Sequence, residues 1–152
     1  MNFEQYLDKA WTDHASNSEK VAEEFSDGIE LIQNNNDIEQ MVQLMTHVFG
    51  THLGSWQKGV EALQNLNKLS AFERNPDIEA TLERSTAVLQ LASGSSIGMQ
   101  NFKASDQVRV LAMTSSALVE RDIHRAREMF SDALRLAEKS SFEKEDPAHR
   151  SI

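Results

Sequence analysis

The chain contains no cysteine, which excludes a disulfide scaffold and any thiolate metal site. It fits a reducing compartment, and the expected location is the cytoplasm. Proline occurs twice and glycine six times, and runs of β-branched residues are scarce. Little interrupts helix formation, so the expected class is all-α. The opening MNFEQYLDKAWTDHA has no basic segment followed by an apolar one, as a secretory signal would need. No stretch approaches the roughly 18 apolar residues of a membrane span. Phosphate-cradling loops, dinucleotide fingerprints and the His-Glu-x-x-His pattern of zinc proteases are all missing.

Basic charge is also in short supply, and unevenly so. The net charge is −9, and the first 40 residues hold ten acids against two bases. The remaining 112 hold fourteen acids against thirteen bases. An acidic opening would repel phosphate, which argues against nucleic acid as a partner. It suits a solvated face, or the docking of a basic partner.

What is present is helical periodicity. The central stretch Met41–Leu69 reads as two amphipathic helices joined by a turn at His52-Leu53-Gly54-Ser55. Met41, Met45, Val48, Phe49 and His52 form the inner stripe of the first. Trp56, Gly59/Val60, Leu63 and Leu66 form that of the second, with Ser55 as N-cap. Gly59 allows close approach of backbones, and Trp56 is expected to be a mostly buried wedge.

Around this hairpin, one helix carries Phe3, Tyr6/Leu7, Ala10/Trp11 and His14, and the next carries Val21, Phe25, Gly28/Ile29 and Ile32. Asn36 with Glu39 resembles a capping box. Asn75-Pro76-Asp77 marks a helix start, and that helix carries Ile78, Leu82, Leu89 and Ala92 inward. Ser105 caps a helix with Val108, Leu111/Ala112, Ser115 and Leu118/Val119 inward. Asp122 caps the last, with Ile123, Ala126, Phe130, Ala133/Leu134 and Ala137 inward. Breaks are expected near Asn17, Asn35, Gly54, Asn75, Gly94 and Arg121.

A weak internal repeat links two of these helices. Ala126, Phe130 and Ala133 follow a capping Asp122 with the spacing that Gly59, Leu63 and Leu66 follow Ser55. The pattern is similar to the tetratricopeptide repeat. The stretch Thr46-His-Val-Phe-Gly-Thr-His-Leu-Gly-Ser-Trp56, the ending Asp146-Pro-Ala-His-Arg150 and the opening Phe3 to Trp11 resemble a family of uncharacterised proteobacterial proteins of tetratricopeptide type. The resemblance implies a right-handed α-solenoid of antiparallel helix pairs, about seven or eight helices in all, and no assigned chemistry. Residues 1–145 form the expected helical domain. Asp146-Pro147 is a helix start that leads into further helices in that family, so 146–152 is expected to begin another helix or a linker of a longer protein. Met129 and Leu136, flanking the last main stripe, are expected to lie uncovered and to offer a face for a second copy of the chain.

Candidate chemistry is sparse. Gly94-Ser95-Ser96-Ile97-Gly98 matches the G-x-S-x-G pattern, which works only as a strained turn between strand and helix. Here a helix precedes it, so a loop is expected. His47 and His52, five apart on an α-helix, point roughly 140° from one another and cannot share a metal without a bend. No metal or other cofactor is therefore expected. One histidine is expected to pack at the hairpin crossing and bond a helix-end carbonyl, and His14 to behave similarly. The expected function is a non-enzymatic module that binds a peptide or helix on a concave face bordered by Met41, Leu44, Val48 and His52. The rival is a purely structural helical segment without its own ligand.

Overall fold

The computed structural model describes residues 1–68 and 74–144, and all regular structure among them is helical. Eight α-helices follow one another: α1 (Phe3–Asp13), α2 (Ser18–Glu23), α3 (Phe25–Glu30), α4 (Asn35–Thr46), α5 (Trp56–Leu66), α6 (Pro76–Ala92), α7 (Ala104–Leu118) and α8 (Ile123–Lys144). A π-helical segment, His47–Leu53, continues α4 directly, and a 3-10 turn, Met99–Asn101, precedes α7. Leu69 and the expected helix start at Asp146 lie outside the described residues.

Four of the eight helix starts carry a side-chain cap. Asn2 and Gln5 form a reciprocal capping box on α1, at 2.9 and 3.0 Å. Asn75 Oδ1 accepts from the Ile78 amide at 2.9 Å, with Pro76 in the first turn of α6. Asp122 Oδ1 accepts from the Arg125 amide at 3.2 Å. Elsewhere the caps differ from expectation. Asn34, two residues before Asn36, caps α4 through the Asp37 amide, and Asp37 reaches back to the Gln33 amide. Ser55 makes no side-chain cap on α5, and α7 opens at Ala104 rather than at Ser105.

One main core joins α1 to α6. Phe3, Tyr6, Leu7, Val21, Phe25, Ile38, Met41, Met45, Phe49, Leu63, Leu82 and Leu89 all belong to it. Such dense apolar burial stabilises short helices that would not form alone. Gly59 lies where α5, α6 and the π segment meet: a Cβ there would stand 2.7 Å from Leu89 Cδ1 and 3.0 Å from Phe49 Cβ. The expected close approach at Gly59 is thus present. Trp56 is partly exposed yet packs on both the main core and the Ala92–Leu118–Ala126 cluster, and its buried indole N–H has no partner among the described residues.

The second half is held by α7 against α8 through small residues. Ser115 donates to the Ala126 carbonyl at 2.7 Å, and Ala126 and Ala133 are buried. This sets the rotation of α8 against expectation. Ile123, Phe130 and Leu134 are exposed, at 43, 52 and 48%. Met129 instead packs on Leu118 and Ala92, and Leu136 is half-buried. The uncovered apolar stripe therefore differs from the one expected. A seam of alanines lets α7 approach more closely than a seam of Phe and Leu would, which turns the large side chains outward.

Candidate metal centre

Three histidines meet beneath α1. His14 follows its last turn, and His47 and His52 bracket the π segment. One ring nitrogen from each lies within 4.8 Å of the other two. His47 Nε2 and His52 Nε2 are 3.1 Å apart, and the ring centroids stand 4.7 to 5.2 Å from one another.

This overturns the expectation that His47 and His52 point apart. The 140° angle holds for an α-helix, but residues 47–53 are π-helical. Hydrogen bonds running from i to i+5 bring residues five apart into line, one above the other. The two histidines are such a pair, so the wider turn is the bend a shared site needs. The turn ends at Gly54 in the left-handed region, with φ 59°, and the Phe49 carbonyl accepts from both the Gly54 and Ser55 amides. Arg121 lies over Gly54 and donates to the His52 carbonyl at 2.6 Å, holding the end of the turn from the far side of the chain.

The rings are also oriented. His14 Nδ1 donates to the Trp11 carbonyl, as expected for a histidine closing a helix. A carbonyl only accepts, so Nδ1 carries a proton and Nε2 is the nitrogen left to face the other two rings as a ligand. A carbonyl on the second ring nitrogen is the usual support for a metal-ligating histidine. Trp11 packs on His14 and His47, with ring centroids at 5.0 and 5.7 Å. Burial, and then the neighbouring His52 and His14, hold the His47 pKa below the usual histidine value. His47 is therefore neutral at pH 7 and offers a lone pair.

This donor set fits a transition-metal ion. Tetrahedral zinc with Zn–N bonds of about 2.0–2.1 Å holds its nitrogens about 3.3 Å apart. The His47–His52 pair already has that separation, and His14 needs a shift of no more than about 1.5 Å to reach it. Three imidazoles leave a fourth position for water or an outside ligand.

The residues expected to border a binding groove are placed otherwise. Met41, Leu44 and Val48 are fully buried and belong to the core, so they present no surface to a peptide in this fold. Only His52 is partly accessible, and it belongs to the histidine cluster. Ser96 sits exposed in the loop after α6, where Gly94 has φ 91° and no strand feeds the turn, so the serine-hydrolase geometry is absent there. No helix among the described residues is long and apolar enough to cross a membrane.

Sequence reasoning placed His14 and His52 on inner stripes but missed their meeting with His47. The available signal was the register. Two helices end their inner stripes in histidine, and His47 joins them only if the 47–53 turn holds one extra residue. In comparisons with known proteins, no family model, no curated protein and no solved structure matches the chain.

Proposed function

We propose that the protein binds one divalent transition-metal ion of the zinc class through His14, His47 and His52. The observation that carries this reading is the convergence of three ring nitrogens within 4.8 Å, two of them presented by a π turn. π segments are rare and are frequent at functional sites. An ion held there ties the end of α1 to the turn leaving α4, joining His14 to His47 across 32 intervening residues. Cobalt(II) titration of the purified chain tests this. Four-coordinate cobalt absorbs strongly in the visible, and Trp11 against the rings reports binding by quenching. One equivalent should saturate the signal, zinc should displace it, and His14→Gln, His47→Gln and His52→Gln should each weaken it at least tenfold. Absent saturation at one equivalent, or binding indifferent to His14→Gln, would sink the reading.

A second reading, a helical protein-interaction module of tetratricopeptide type, is favoured by the exposed stripe Ile123, Phe130 and Leu134 on α8. Three large apolar residues on one helix face are a common partner-helix surface. Phe130→Asp with Leu134→Asp should leave the urea midpoint nearly unchanged while abolishing any self-association seen by sedimentation. A midpoint lowered as for a core residue would count against a docking role.

A further inference from the structure

A cavity of about 390 Å³ opens between α4, the π segment, α6 and α7. Its size is in the range of small-molecule sites. Val88, Met113 and Ala117 supply an apolar wall. The polar wall is rich in donors: Arg84, Arg109, Thr46 and Ser85 line it, with Glu39 as its carboxylate.

Two of these donors, buried Thr46 and exposed Arg109, have no partner among the described residues. Thr46 is only 8% exposed, and its hydroxyl has no hydrogen bond. A buried hydroxyl left unpaired costs stability, so such groups call for explanation. Arg109 makes no ion pair or hydrogen bond with any described residue. Arg84 is only partly engaged. It gives one bond to Asp106 at 3.4 Å and one to Thr81 at 3.3 Å, and a guanidinium has five N–H donors. Two guanidinium groups thus stand on one cavity of a chain whose net charge is −9.

We infer that this cavity binds a small molecule carrying an oxyanion group, a carboxylate or a phosphate, held between Arg84 and Arg109. The planar guanidinium fork matches either anion in a bidentate way. The apolar wall accommodates a short carbon body. His47 also borders the cavity, but the inference rests on the two arginines and the apolar wall and does not require a metal ion.

Calorimetric titration of the chelator-treated full chain tests this, with sodium phosphate and sodium succinate as separate probes at constant ionic strength. At least one probe should bind saturably at one equivalent, and the preferred one identifies the head group. Arg109→Gln should weaken binding at least tenfold. Arg127→Gln, on exposed α8 away from the cavity, should leave it unchanged. The inference is overturned if neither anion binds saturably. It is equally overturned if Arg109→Gln and Arg127→Gln act alike, since that reports net charge only.

Discussion

Gly59→Ala is the sharpest probe of the packing that holds the π segment in place. The added Cβ would stand 2.7 Å from Leu89 Cδ1, 3.0 Å from Phe49 Cβ and 3.3 Å from Phe49 Cγ. Leu89 is fully buried, so its methyl has little room to turn away. Phe49 Cβ sits beside its own backbone and moves only with the π turn. Overpacking of this kind costs about 1–3 kcal/mol. Alanine returns up to about 1 kcal/mol over glycine in a helix interior, so the net loss is about 1–2 kcal/mol. Urea unfolding followed by circular dichroism should show a lower midpoint with an unchanged slope. In thermal unfolding the shift is about 2–4 °C per kcal/mol for a chain of this size. The decisive comparison is with Leu89→Ala, which alone costs about 2–5 kcal/mol. In that background the nearest obstacle is gone, and Gly59→Ala should become close to neutral. The two changes should couple by about 1–2 kcal/mol, in the relieving direction. If Gly59→Ala stabilises the wild type, or costs the same in both backgrounds, the close approach is refuted.

Further outcomes follow from the same geometry. Arg121→Gln removes the guanidinium from the His52 carbonyl; it should cost about 1 kcal/mol, less than a buried charged bond because Arg121 is exposed. Cobalt affinity should fall with it by roughly fivefold to tenfold, the equivalent of that free energy. Asn75→Ala should cost about 1 kcal/mol through the lost cap on Ile78, measured in urea. The metal-free protein should lose stability on acidification, because His47 has a lower pKa folded than unfolded. The unfolded chain then binds more protons below its own histidine pKa, near 6.5. Stability is therefore full above about pH 6.5, declines as pH falls from there through the folded pKa, and levels off below it. Urea midpoints across pH 7.5 to 5 should show this decline, and His47→Gln should flatten part of it; an unchanged slope in the variant would contradict the assignment.

Much of the fold was legible because its signals are local. Asn75-Pro76 states a helix start in two residues, and Gly54 states a turn in one. The inner stripes of α1, α4 and α6 were readable because large apolar residues recur there at helical spacing, and Phe3, Met45, Leu82 and Leu89 are indeed buried. Two errors share a different origin. Projecting every helix at a uniform 100° per residue hid the π turn, so His47 was placed away from His52. The stripe drawn by spacing through Ala126, Phe130 and Ala133/Leu134 held for the two alanines, which are buried, but close contact with α7 turns Phe130 and Leu134 outward. The first error concealed the candidate site, and the second concealed the exposed face of α8. The expected concave face of a helix-pair stack put Met41, Leu44 and Val48 along a groove, whereas all three are fully buried in the core. Neither inter-helix distance nor a local change of helix pitch is encoded in periodicity.

The bond from Arg121 to the His52 carbonyl has a bearing on when the protein acquires its histidine cluster. All three histidines have been synthesised by residue 52, but the latch on their turn arrives 69 residues later. A nascent chain carrying only its first half therefore holds three imidazoles without the clamp that fixes their spacing. If the cluster binds an ion as proposed, Arg121 adds the last roughly fivefold to tenfold of affinity only once the C-terminal helices have docked.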